Sequence, residues 1–123
     1  MKSALLIAAH GSPIAGADDD VLRFAADVRA AAKIDVVEAC FLECNQPSIP
    51  DSIRKCVGAG VDRIVVLPYF LHAGRHVVLD IPAIIDEERA ESKGVEIAVA
   101  DYLGCSPIVA KVLRERAKMA GSR

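Results

Sequence analysis

Short apolar runs alternate along this chain with longer stretches in which apolar residues recur every three or four positions. The runs Ala4–Ala9, Asp35–Leu42, Asp62–Tyr69 and Val95–Ala100 read as strands. The third is so apolar and β-branched that neither of its faces suits water, which marks a parallel sheet covered on both sides. Between the runs lie helical patterns. One extends from Asp18 to Lys33, with Val21, Leu22, Phe24, Ala25, Val28 and Ala32 forming its stripe. The acidic triplet Asp18, Asp19 and Asp20 opens it, where carboxylates satisfy free N–H groups and the positive dipole end. A second pattern covers Ser48–Ala59, with Pro50 in its first turn and Gly58 and Gly60 at its end. A third covers Asp80–Ser92, with Asp80 read as its cap and Pro82 in the first turn. The last starts near Ser106-Pro107 and sets Ile108, Val109, Val112 and Leu113 on one face.

This regular alternation predicts right-handed crossovers and one α/β domain over residues 1–123. The expected fold is flavodoxin-like: a four-stranded parallel sheet in order 2-1-3-4, with helices on both faces. That order sets the first and third strands side by side. Whatever follows them meets at the carboxyl edge of the sheet, where open α/β folds bind ligands.

Composition narrows the function. A chain of 123 residues buries roughly two-thirds of its unfolded surface, enough for a core without staples. Its net charge of −2 offers no overall basic field, and at 4% aromatic residues and no Trp there is little to stack on bases, so nucleic acid is not an expected partner. No stretch approaches the roughly 20 apolar residues that span a bilayer, and the start lacks the features of a signal peptide. The expected location is the cytoplasm, without membrane. Cys40 and Cys56 fall within apolar patterns and read as small buried hydrophobes; Cys44-to-Cys40 spacing is not that of a zinc knuckle, and Cys105 stands apart.

Chemistry concentrates at the predicted edge. His10 follows the first strand, and Gly11 lets the chain turn sharply behind it. His76 closes the segment Leu71-His72-Ala73-Gly74-Arg75-His76 after the third strand. Imidazoles near neutral pH hold a divalent cation or take up a proton. Three histidines could make a three-ligand site with an open position, although Gly74 argues for a loop in which one histidine points in and one out. Glu43 closes the second strand and could accept a proton, assist a cation or be solvated. Asn45 and Gln46 could bind a polar ligand or serve as turn residues. No nucleophile elbow, dinucleotide turn or P-loop is present.

Ala9-His10-Gly11-Ser12, Phe41-Leu42-Glu43 with Pro47-Ser48-Ile49, and Leu67-Pro68-Tyr69-Phe70-Leu71 with Gly74-Arg75-His76 and Asp80-Ile81-Pro82 resemble, in order, the short CbiX-type sirohydrochlorin chelatases. The resemblance implies the chelatase α/β fold, a homodimer with a shared cleft, and insertion of cobalt, nickel or iron into sirohydrochlorin on routes to cobalamin and related tetrapyrroles. The divalent metal is then a substrate, and no prosthetic group is implied. Residue by residue, it implies His10 and Glu43 as catalytic residues and His10 and His76 as metal ligands. Gln46 and the loop Leu71, His72, Ala73, Gly74, Arg75 and His76 would touch the tetrapyrrole, whose carboxylates suit Arg75. Pro13, His72 and Gln46 depart from residues common in the family. Two other readings share the fold: a metal- or tetrapyrrole-delivery protein without catalysis, and a phosphate- or flavin-binding domain, which the absent phosphate cradle disfavours.

Overall fold

A computed structural model describes residues 1–121. The chain runs β1 (Ser3–Ala9), α1 (Asp19–Ala31), β2 (Val36–Phe41), α2 (Ile49–Gly58), β3 (Arg63–Pro68), a π-helical turn (His76–Asp80), α3 (Ile81–Glu91), β4 (Glu96–Val99), a 3₁₀ turn (Leu103–Cys105) and α4 (Pro107–Gly121). All strand pairs are parallel, and the sheet order is β2-β1-β3-β4, as the alternation predicted.

Right-handed crossovers place α1 on one face and α2 with α3 on the other. Leu6, Ile49, Ile53, Ile64, Val66, Ile81 and Ile85 form the core under α2 and α3, each fully buried. Burial of each such side chain favours folding by about 1.5–3 kcal/mol. A smaller core under α1 gathers Ile7, Val21, Ala25, Val37 and Phe41. β1 is central: Ala8 pairs with Cys40 on one side and Pro68 on the other, so the carboxyl ends of β1, β2 and β3 finish level.

Three local expectations are corrected. Asp80 is not a cap: its backbone is helical, it makes no capping bond, and α3 continues without a break from the π-helical turn. Asp18 also makes no capping bond with its side chain; its carboxylate instead accepts from the Ser12 amide at 3.0 Å and from Asn45 Nδ2. Third, α4 lies on neither face of the sheet, and every residue from Ala110 to Met119 is exposed. The cause is the 3₁₀ turn before it. The Gly104 amide donates to the Phe70 carbonyl at 3.2 Å, and its Cα lies so close to the Leu71 carbonyl that a Cβ would fall 1.8 Å from that oxygen. The chain is thereby pinned to the loop after β3 and leaves the body from there. Ser48 does cap α2 as expected, accepting from the Asp51 amide at 3.2 Å.

Candidate active site

Parallel pairing between β1 and β2 runs on past the strand ends. The Leu42 amide donates to Ala9 and the Glu43 amide to His10, each at 3.0 Å. Register alone therefore sets the Glu43 side chain beside the His10 ring, with His10 Nε2 3.2 Å from Glu43 Oε1. Gly11 makes this approach possible: it has φ +92°, and a Cβ there would sit 1.9 Å from the Glu43 carbonyl oxygen. His10 Nδ1 lies 2.9 Å from the Gly11 carbonyl, which can only accept, so Nδ1 carries the hydrogen. In the neutral ring the Nε2 lone pair then faces a carboxylate oxygen. That arrangement asks for something positive between the two, a proton or a metal cation.

From β3 the chain passes Phe70 and the exposed bend Leu71-His72, then enters the π-helical turn at His76. That turn is closed by an i→i+5 bond from the Ile81 amide to the His76 carbonyl. It brings Asp80 Oδ2 to 2.7 Å from His76 Nδ1. A carboxylate accepts, so Nδ1 donates, and the second lone pair of the site is again on Nε2. The rings of His10 and His76 have centroids 4.7 Å apart, inclined at 47°, and Phe70 backs His76 at 5.9 Å. Two imidazoles 66 positions apart in sequence (76 − 10) thus converge on one open cavity of about 280 Å³.

His72, Gly74, Arg75 and Val77 complete the lining of that cavity. The exposed Arg75 guanidinium pairs with no carboxylate among the described residues. A Cβ on Gly74 would meet His72 Nε2 at 2.9 Å, so the His72 ring lies back over its own loop. Among the described residues no three His, Cys, Asp or Glu side chains are grouped to hold a metal, so a closed three-histidine site is not formed. What the geometry presents is two Nε2 lone pairs with one carboxylate beside them, open to solvent. Imidazole suits the borderline cations cobalt, nickel and iron.

Comparison with known proteins agrees with this arrangement. The CbiX family model matches residues 4–120. This chain belongs to the CbiX family. It is 38% identical to the sirohydrochlorin cobaltochelatase of Sulfurisphaera tokodaii, an alignment covering 91% of this chain and 88% of that protein. Its fold is similar to that of a putative cobalamin biosynthesis CbiX protein from Marinobacter aquaeolei, with a TM-score of 0.83 and 29% identity over 98% of both chains. It is also similar to the sirohydrochlorin chelatase SirB from Bacillus subtilis subspecies spizizenii in complex with cobalt, with a TM-score of 0.88 and 30% identity over 96% of this chain but only 50% of SirB.

Within this CbiX-family site, the residues expected from sequence fall into two groups. His10, Glu43, His72, Gly74, Arg75 and His76 come together at the carboxyl edge. Gln46 lines a separate cavity with Asn45, Ser12, Pro13 and Gly16, while Leu71 and Ala73 are exposed outside the histidine cavity. Asn45 acts as an anchor: its side chain donates to the Ser12 carbonyl at 3.1 Å and to Asp18, tying the loop after β2 to the loop after β1. Asp80 is the residue that sequence reasoning missed. Its signal was the spacing His76-x-x-x-Asp80, which was masked because Asp followed by Ile-Pro reads so well as a helix start.

Proposed function

We propose that this chain is a sirohydrochlorin chelatase that inserts a divalent metal, cobalt foremost, into the macrocycle as a step of tetrapyrrole biosynthesis. The observation that carries this reading is the pair of Nε2 lone pairs on His10 and His76, converging across 4.7 Å beside Glu43.

In this reading the metal enters on His10 and His76 and displaces the proton that otherwise lies between His10 and Glu43. Sirohydrochlorin must lose two pyrrole N–H protons while the cation leaves its protein ligands. Glu43, whose side chain is 58% exposed, takes the first. Transfer of the metal to the ring frees the His10 lone pair for the second, so charge is balanced at each stage. Two imidazoles without a third ligand hold the cation weakly enough to release it. Arg75 takes a rim carboxylate of the substrate. Exposed Leu71, Val78 and Leu79, 66%, 57% and 60% accessible, offer apolar surface to the flat face of the ring. Gln46 meets the substrate only at its periphery, from its own cavity.

The proposed working form is a homodimer in the cytoplasm, in which each chain supplies one lobe of a shared cleft. SirB, about twice this length, has the same fold over half its chain. Among the described residues no helix is long and apolar enough to cross a membrane. Nickel and iron are alternative metals on the same ligands.

The deciding experiment mixes purified protein with sirohydrochlorin and Co²⁺, Ni²⁺ or Fe²⁺ in turn and follows the spectrum of the macrocycle. Acceleration over the uncatalysed rate is expected, greatest with Co²⁺. Binding of macrocycle or metal without acceleration would mean a delivery protein instead.

A further inference from the structure

The fifteen-residue helix α4 (Pro107–Gly121) packs substantially only on the 3₁₀ turn that precedes it. An isolated helix of about this length is marginal in water, and its stability ordinarily comes from burying an apolar face. This one has such a face. Ile108, Val112 and Leu113 are 68%, 42% and 64% exposed, and Val109 lies beside them on the same stripe.

The body has a matching vacancy in its covering. On the side of the sheet that carries α1, the strands β1 and β2 are roofed, but β3 and β4 are not. The residues of β3 that face this side, Val65 and Leu67, stay half-exposed, whereas Ile64 and Val66 on the other side are fully buried. An apolar groove of about 250 Å³ runs here past Leu5, Phe24, Val28, Leu67 and Tyr69. Parallel sheets occur with both faces covered. Each chain therefore has one strip lacking a helix and one helix lacking a strip.

Its own α4 does not fill its own strip, because the Gly104 turn is held against Phe70 and Leu71 and aims the helix outward. A second copy fits instead. The net charge of −2 per chain opposes association little, and the related fold of SirB keeps twice this length in one molecule. We propose that two copies exchange α4, each helix laying Val109, Val112 and Leu113 along the partner's groove over β3. The dimer of the preceding section supplies the partner; the exchanged helix is the new element. Because the root of α4 grips the loop that leads to His72 and His76, exchange also fixes that loop in each site.

The test uses the full chain with Cys44 and Cys105 replaced by Ser. Chains carrying Phe24→Cys and differently tagged chains carrying Val112→Cys are mixed and oxidised mildly, beside a Phe24→Cys/Val112→Cys double variant. Light scattering should give twice 13.1 kDa for the parent, and the disulfide should join the two tagged chains. Val112→Asp/Leu113→Asp should raise the dimer dissociation constant on the order of a hundredfold or more, since it drives charge into an apolar contact. Leu113→Met should not. Unchanged circular dichroism would show that the aspartate variant still folds. A monomeric parent would reject both the dimer and the exchange. A dimer that survives the aspartates, or a double variant that closes within one chain, would reject the exchange alone.

Discussion

His76 Nδ1 and Asp80 Oδ2 lie 2.7 Å apart across a π-helical turn, and this bond decides which nitrogen of His76 faces the cavity. The carboxylate accepts from Nδ1–H and leaves the Nε2 lone pair outward. Asp80→Asn can offer the ring an N–H and so favour the opposite tautomer. Its expected cost is roughly 10–100-fold in Co²⁺ affinity and in chelation rate. Asp80→Glu should restore part of the loss, and the unfolding midpoint should barely move because Asp80 is half-exposed. Cobalt titration by visible absorption separates this role from a structural one, which would lower the midpoint and leave affinity per folded molecule intact.

The histidines should not be equivalent. His10→Ala and His76→Ala each remove one of the converging lone pairs, and each should slow metal insertion by roughly 10²-fold or more. His72→Ala should cost much less, because that ring lies over Gly74 and has no printed partner in the pair. Steady-state rates for the three variants check this order. Equal losses in all three would displace the assignment of the site.

Gly11 and Gly60 offer a controlled contrast. Both have positive φ, +92° and +82°, but a Cβ at Gly60 meets open space while one at Gly11 would meet the Glu43 carbonyl at 1.9 Å. Gly60→Ala should therefore cost only backbone strain, of order 1 kcal/mol. Gly11→Ala must also push apart two loops and should cost about 3 kcal/mol or more, with loss of activity as Glu43 shifts from His10. Urea unfolding of both variants measures the difference.

Burial first, and then the neighbouring Cys56 thiol, pushes Cys40 up to about 12 from the ordinary 9.0. Below pH 9 both folded and unfolded chains keep this proton, and stability does not depend on it. Between 9 and 12 the unfolded chain releases the proton while the folded chain retains it, so stability falls by roughly 1.4 kcal/mol per pH unit from this thiol. Cys56, raised by burial as well, adds to the fall. Urea midpoints measured from pH 8 to about 10.5 should drop more steeply for the parent than for Cys40→Ala. Under native conditions a thiol reagent should label the exposed Cys44 and Cys105 quickly and the other two slowly.

Much of the architecture was legible because it rests on local pattern. The apolar runs, the Ser48 cap and the glycines Gly11 and Gly60 each express a short-range preference of chain or solvent. Even the meeting of His10 with the segment ending at His76 followed from strand order, since β1 and β3 had to be neighbours. The misread residues are those whose side chains had two uses. Asp18 and Asp80 look like caps because carboxylates at helix starts usually are, yet one ties two loops together and the other holds a histidine.

By itself, then, the order of residues determined the elements, their sequence in the sheet and the edge at which chemistry gathers, because hydrophobic period and turn residues act over a few positions. Only the tertiary structure decided that Glu43 stands 3.2 Å from His10, that Asp80 orients His76, and that α4 leaves the sheet uncovered. Those outcomes depend on register past the strand ends, a turn wound one residue wide, and a glycine wedged against a distant carbonyl. Each is a contact between segments far apart in the chain, and no local preference specifies it.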